Sequence, residues 1–169
     1  IWTGVFQKGV VLFPAESIGF RYVGHKSVVS NRIGSACVMS LYKDRDEVLW
    51  VGTDSDGLYG ISPDGKIDRH FENSSDPASV PSTIMCIFED SRGTMWLGSY
   101  VHGLAKVDKQ TGKCRYVPLK NLPGSSIYDI TEDAYGNLWI ATMGDGLFCM
   151  EIDSGKIVHY QTGDYGYLI

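Results

Sequence analysis

Apolar and polar positions along the 169-residue chain recur in short runs. Between 84 and 97 an apolar stretch of strand length, Ile84-Met85-Cys86-Ile87-Phe88, meets a polar turn, Glu89-Asp90-Ser91-Arg92-Gly93, and then a second apolar stretch, Met95-Trp96-Leu97. The same order returns as Ile127-Tyr128-Asp129-Ile130, Glu132-Asp133-Ala134-Tyr135-Gly136 and Leu138-Trp139-Ile140. In an Asp-x-x-Gly turn the carboxylate accepts backbone N–H groups and the glycine takes a positive φ, so each copy predicts a tight hairpin. No segment carries convincing helical periodicity.

The hairpins belong to a longer repeat. Trp2, Trp50, Trp96 and Trp139 are 48, 46 and 43 residues apart, and each is followed seven residues later by a glycine: Gly9, Gly57, Gly103 and Gly146. An aliphatic residue comes next every time (Val10, Leu58, Leu104, Leu147), and Val38, Ile84 and Ile127 stand twelve residues before the last three tryptophans. An aromatic recurs about twenty residues after each tryptophan, at Tyr22, Phe71, Tyr116 and Tyr160, beyond a third turn marked by Gly65-Lys66, Gly112-Lys113 and Gly155-Lys156. Four short strands in about 45 residues is the size of one β-propeller blade.

The expected fold is therefore all-β, a partial β-propeller of four-stranded antiparallel blades. Three complete blades are expected at 37–72, 83–118 and 126–161, and most of a fourth at 1–23. The four tryptophans and the four following glycines are structural repeat positions, with the indoles mostly buried. The first strand of each blade shows little polar alternation and is expected to be innermost and covered on both faces. Glu47 replaces the glycine of the Asp44 turn, which predicts a looser or differently shaped hairpin. The chain opens just before one blade's tryptophan and stops at Ile169, so uncovered blade edges are expected, to be met by the remaining blades of a longer parent or by self-association.

Composition agrees with many short elements and adds exclusions. Twenty glycines and six prolines supply the turns, while 43% hydrophobic and 21% charged residues are ordinary values. A net charge of −5 without a basic run argues against nucleic acid as partner. No apolar stretch approaches the length needed to span a bilayer. The four cysteines form no CxxC pair and read as small core residues, leaving disulfide status open. No cofactor motif and no metal-ligand set is legible. Asp54-Ser55-Asp56-Gly57 opens like a calcium loop, but Leu58 stands at its fifth position and no bidentate acid follows at the twelfth. His25, His70, His102 and His159 are scattered, and the equivalent final-strand places of His70 and His159 predict surface or blade-edge roles. No Ser/His/Asp order or paired carboxylate stands out, so no catalytic residue is assigned.

The pattern Ile-x-x-Ile-x-Glu-Asp-x-x-Gly-x-Leu-Trp-Ile-x-Thr-x-x-x-Gly-Leu is matched best at 127–147, well at 84–104 and loosely at 38–58. It resembles the two-component regulator propeller repeat. That resemblance implies a periplasmic sensor region of a hybrid two-component system of the Bacteroidetes kind, coupled elsewhere to a membrane-spanning helix, a histidine kinase and a response regulator. Such receptors commonly respond to breakdown products of complex carbohydrates. A propeller lyase or glycosidase, or a scaffold for protein–protein contact, are the competing readings.

In a propeller the turns between second and third strands share one face with the linkers between blades, and binding residues concentrate where loops vary on a fixed scaffold. The candidate ligand-binding residues are Asp56, Tyr100, His102 and Asp145, with linkers that include Asn31-Arg32 and 72–81. Tyr100 and His102 suit an oligosaccharide, which needs an apolar face and hydrogen-bonding edges.

Overall fold

The structure, a computed structural model, describes residues 2–5, 9–12, 21–26, 32–119 and 125–161. Its elements are all strands, grouped in four antiparallel sheets. The first sheet holds β1 (Trp2–Val5), β2 (Gly9–Leu12) and β3 (Arg21–Val23). The second holds β4 (Val38–Lys43), β5 (Leu49–Thr53), β6 (Leu58–Ile61) and β7 (Ile67–Phe71). The third runs through β8 (Ile84–Glu89), β9 (Met95–Ser99), β10 (Leu104–Val107) and β11 (Cys114–Val117). The fourth runs through β12 (Ile127–Glu132), β13 (Asn137–Thr142), β14 (Leu147–Glu151) and β15 (Ile157–Tyr160). Each sheet is a meander, and β8 contacts both β4 and β12, so first strands gather at the axis and fourth strands lie outermost. This is the propeller arrangement.

The strand covered on both faces is the second, not the first. Every residue of β5 and β9 is buried, whereas none of β4 is. Side chains alternate across a strand, so each second strand feeds two inter-blade cores. Leu49 and Val51 join Val10, Val23 and Ile33 toward the preceding blade, while Trp50 joins Val80, Ile84, Ile87 and Leu97 toward the following one. Met95 and Leu97 repeat the first role, and Trp96 the second, against Ile127, Ile130 and Ile140. The first strands instead border the axis, and each carries a bulge near its start, between Val38 and Ser40, Ile84 and Cys86, and Ile127 and Asp129. Trp50 and Trp96 are fully buried as expected, but Trp2 and Trp139 are only half-buried. Each indole is covered by the following blade, and among the described residues none follows Trp139.

The aromatic repeat needs a correction of phase at Tyr22 and Tyr116. Strand register equates Phe71 with Val117 and Tyr160, opposite Leu58, Leu104 and Leu147. Tyr116, and Tyr22 opposite Val11, are instead equivalent to His70 and His159, on the other face. Phe71 and Tyr160 stack on Trp50 and Trp139 at 6.4 and 5.7 Å between ring centroids. His70 and His159 stack on Tyr59 and Phe148 at 3.9 and 4.1 Å. These two histidines do stand on the outer strand, His70 exposed and His159 half-buried, and each is held by a ring and a backbone carbonyl.

The turn at Asp44 is not looser than the others. Glu47 adopts φ 63°, and its N–H donates to the Asp44 carbonyl at 3.0 Å, as Gly93 (φ 84°) does to Asp90 at 2.9 Å. Asp44 Oδ1 accepts from Asp46 and Val48 N–H at 3.0 Å each, as Asp90 Oδ1 does from Arg92 and Thr94. The carboxylate and the strand pair set this turn, and Glu47 is forced into the conformation a glycine would occupy freely.

At this hairpin end the blades are keyed together by charge. Glu89 Oε2 accepts the Arg45 N–H of the preceding blade's turn at 2.9 Å, and Glu132 Oε2 accepts the Ser91 N–H at 2.6 Å. The Glu-Asp dipeptide thus divides its labour: Asp closes its own turn, and Glu receives the neighbour's. Lys109 reaches across the same seam to Asp44 Oδ2 at 2.9 Å and also binds Glu89 Oε1 of its own blade at 2.7 Å.

Candidate functional site

At the opposite end, the turn between second and third strands is built the same way in every complete blade. A hydroxyl three residues after the tryptophan accepts the N–H three residues on: Thr53 from Asp56 at 3.1 Å, Ser99 from His102 at 2.6 Å, Thr142 from Asp145 at 3.1 Å. Thr53 and Thr142 also donate to the Gly57 and Gly146 carbonyls at 2.8 and 2.7 Å. Gly57 has φ 72°, and a Cβ there would stand 2.0 Å from the Phe71 carbonyl oxygen, which explains the invariant spacing from tryptophan to glycine in this chain.

These turns are pinned to the inner strands and to the next blade. Asp54, Tyr100 and Met143 donate their N–H groups to the carbonyls of Cys37, Thr83 and Ser126, just before β4, β8 and β12. Across the seams, Ser55 N–H donates to Ser82 O at 2.8 Å, Thr83 Oγ1 to Asp54 Oδ1 at 2.9 Å, and Ser126 Oγ to the Tyr100 carbonyl. Turns and linker ends therefore form one rim around the inner strands.

Asp56, His102 and Asp145 occupy the same place in successive blades, so they stand one blade apart and do not form one pocket. Asp56 is half-buried, and its Oδ2 accepts the Tyr59 hydroxyl at 2.6 Å. Asp145 is half-buried, with its carbonyl oxygen 2.5 Å from His159 Nε2. His102 is exposed, with its ring 6.2 Å from that of Tyr116. Tyr100 is 46% exposed and its neighbour Val101 52%. The sequence reading missed Met39 and Tyr128, the bulge residues of β4 and β12, which are 38% and 60% exposed near the same end. Their signal was a bulky residue followed by a polar one at the second and third positions of an otherwise apolar strand.

The 72–81 linker is not wholly on the rim. Ala78 O accepts Cys114 N–H at 2.7 Å, Ser79 O accepts the Tyr116 hydroxyl at 2.9 Å, and Asp76 pairs with Lys113. Its first part thus lies along the outer strand β11, and only its end turns inward to Thr83. Arg32 donates to the His25 carbonyl at 3.3 Å, while Asn31 lies outside the described residues.

The profile described as two component regulator propeller matches residues 32–55, 79–101 and 121–144, each spanning a first strand, the Asp turn, the tryptophan strand and the start of the rim turn. Those three stretches are two component regulator propeller repeats. Solved structures agree on the fold. The extracellular domain of BT3049 from B. thetaiotaomicron, described as a hybrid two component system, superposes with a TM-score of 0.76 at 20% identity over 95% of this chain and 23% of its own length. That of BT4673 from the same organism gives 0.70 at 21% identity, over 94% and 20%. Virginiamycin B lyase from Staphylococcus aureus, solved with quinupristin, gives 0.59 at 25% identity, over 76% and 42%. The chain thus spans about a quarter or less of the two extracellular domains. No curated protein matches it.

Two further features of the chain bear on chemistry. Burial pushes the thiols of Cys86 and Cys114 up to about 12, so neither is a nucleophile at neutral pH. Beside the rim of the second blade, strand pairing gathers Asp56, His70 and Glu72. His70 Nε2 lies 3.5 Å from Asp56 Oδ1, and its Nδ1 lies 3.9 Å from Glu72 Oε1. The sequence showed no such group, because hairpin pairing joins residues fourteen apart.

Proposed function

We propose that the chain is a segment of a periplasmic sensor propeller in a hybrid two-component receptor, and that its rim of second-to-third-strand turns binds a soluble carbohydrate fragment. The observation that carries this is variation at the rim of a repeated scaffold. Scaffold positions repeat as Trp, Asp and Gly, whereas equivalent rim positions read Asp54, Tyr100, Met143 and then Asp56, His102, Asp145. The regulator repeats and the extracellular-domain neighbours support the sensor reading.

Tyr100 is the primary contact, an exposed ring face against which an apolar sugar face can stack. His102 is a hydrogen-bonding neighbour, and Tyr128 of the next blade extends the aromatic surface. Asp56 and Asp145, held by Tyr59 and His159, shape their turns and contribute charge near the ligand. Because the rim turns of the second and third blades are bonded to the residues just before the next blade's first strand, a ligand bridging two turns acts on the angle between blades. The histidine kinase of the parent would read that change.

The test belongs in the full-length propeller. Calorimetric titration with an oligosaccharide that induces the receptor should give weaker binding for Tyr100→Ala and His102→Ala than for the parent. Equal affinity in all three would place the ligand elsewhere. The parent reading frame separates the sensor from the lyase or glycosidase alternative: a transmembrane segment followed by kinase motifs supports the sensor, and a secreted chain without them supports the enzyme.

A further inference from the structure

We propose that Asp56, His70 and Glu72 form a site for a divalent transition-metal ion, with Zn2+ the best fit, on the outer side of the second blade. One carboxylate oxygen from each acid and one ring nitrogen of His70 lie within 4.8 Å of one another. Donors about 2.0–2.2 Å from a tetrahedral zinc are themselves roughly 3.3–3.6 Å apart. The Asp56 carbonyl, 2.9 Å from His70 Nε2, engages that nitrogen and leaves Nδ1 to ligate. Glu72 Oε1 lies 3.9 Å from Nδ1, and the Asp56 carboxylate, 3.5 Å from Nε2, must shift with the exposed Glu72 side chain to close the set.

Two of the ligands are held in advance by one residue. Tyr59 is buried, and its ring lies flat against His70 at 3.9 Å and 9°. Its hydroxyl accepts the Gly34 N–H at 3.1 Å and donates to Asp56 Oδ2 at 2.6 Å, which leaves Oδ1 on the His70 side. An outer hydrogen bond that orients a ligating carboxylate is a recurrent feature of metal sites.

The fourth blade shows which parts the fold itself requires. There His159 stacks on Phe148 and lies 2.5 Å from the Asp145 carbonyl, as His70 stacks on Tyr59 and lies 2.9 Å from the Asp56 carbonyl. The stacked histidine is therefore architecture. The fourth blade has no phenol to orient Asp145, and Gln161 stands where Glu72 does. The third blade offers His102, Ala105, Tyr116 and Pro118 at these four places. The orienting hydroxyl and the third ligand are additions confined to the second blade among the described residues. One imidazole and two carboxylates suit Zn2+, with water completing the coordination. His70 and Glu72 also line a cleft of about 240 Å³ with Ser74, Asp76 and Lys113, which gives the ion a route to solvent.

The experiment is calorimetric titration of the chain with ZnCl2, its thiols kept reduced by a phosphine. The expected result is one saturable site. Glu72→Gln and His70→Phe, which copy the charge of the fourth blade and the shape of the stack, should each weaken binding by more than about tenfold, and Tyr59→Phe by roughly tenfold. His159→Phe should change nothing. Co2+ in place of Zn2+ should give visible d–d bands without a thiolate charge-transfer band. Absence of saturable binding, unchanged affinity in both Glu72→Gln and His70→Phe, or a thiolate band would overturn the assignment.

Discussion

The indole Nε1 of Trp96 donates to Asp90 Oδ2 at 2.9 Å, and Trp50 and Trp139 make the same bond at the same distance to Asp44 and Asp133. The aspartate six residues before each tryptophan thus does two jobs. One oxygen closes the hairpin, and the other satisfies an indole whose ring faces the next blade. Local turn and inter-blade packing share one carboxylate.

Removing that carboxylate should be felt in both. Asp90 is 1% exposed and accepts from Trp96, Arg92 and Thr94. Asp90→Ala strands these donors, and at about 1–3 kcal/mol for each group left unpaired in the interior, a total loss near 3 kcal/mol is expected. Asp90→Asn keeps one carbonyl acceptor and should lose less. Urea unfolding followed by tryptophan fluorescence measures both, and an unchanged midpoint for Asp90→Ala would remove the shared role.

Glu47→Gly makes the opposite prediction. Glu47 sits at φ 63°, where a side chain costs about 1–2 kcal/mol. Its ion pair with Lys43 is exposed on both sides and contributes at most about 1 kcal/mol. The replacement should leave the turn's bonds intact and raise stability by roughly 0.5–1 kcal/mol, after the extra entropy of glycine in the unfolded chain is counted. A lower melting temperature would mean that Glu47 makes a contact beyond Lys43.

What the sequence disclosed was what repeats at constant spacing. The Trp, Gly and Asp positions each answer a local demand, so their recurrence was enough for strand order and blade architecture. Tyr22 and Tyr116 were assigned to the wrong face because an aromatic residue one position out of phase still looks like a repeat, and only register distinguishes the two faces. Burial of β5 in preference to β4 was hidden because both strands are apolar, and the axis exposes one of them. Met39 and Tyr128 become visible only once the bulges are seen. Asp56, His70 and Glu72 lie on different parts of a hairpin, and no linear motif reports their convergence. Lys109 was silent for the same reason: its partners Asp44 and Glu89 are 65 and 20 residues away.

Gly98 tests how closely the blades approach. A Cβ added there would stand 2.4 Å from Cys86 Sγ and 2.6 Å from Ile127 Cγ2 of the following blade, and Gly52 faces Ser40 and Ile84 in the same way. Neither glycine has positive φ, so the demand is space alone. Gly98→Ala should wedge the third and fourth blades apart and cost about 1–3 kcal/mol, the usual range for overpacking. Ala141 holds the equivalent place in the fourth blade, where no described blade covers it. Near-ultraviolet circular dichroism should show the change at the Trp96 environment, and a fully tolerated Gly98→Ala would mean that the seam has slack.

Lys109 gives the pH signature of the hairpin end. Burial raises the Asp44 carboxyl, but hydrogen bonds from the Trp50 indole and the Lys109 ammonium outweigh it and hold the group below the usual carboxylate range. Glu89 is likewise raised by burial and more strongly lowered by Lys109 and Arg45. Groups whose folded pKa is depressed contribute stability above their unfolded values, near about 4, and that contribution is lost as pH falls through the folded values. Lys109 itself is raised, since Glu89 and Asp44 overcome its burial, so its contribution is present below about pH 10 and fades above. Lys109→Met keeps the stem but leaves two carboxylates, 1% and 3% exposed, without their shared cation. Breaking a buried pair costs about 3–5 kcal/mol, and with Arg45 still 3.3 Å from Glu89 a loss of about 2–3 kcal/mol at pH 7 is expected. Without the ammonium both carboxyls titrate higher, so the deficit should shrink as pH is lowered toward 4 and they take up protons. Urea titrations at pH 7, 5.5 and 4 measure this, and a deficit that stays constant across them would mean that Lys109 acts through its aliphatic stem and not through its charge.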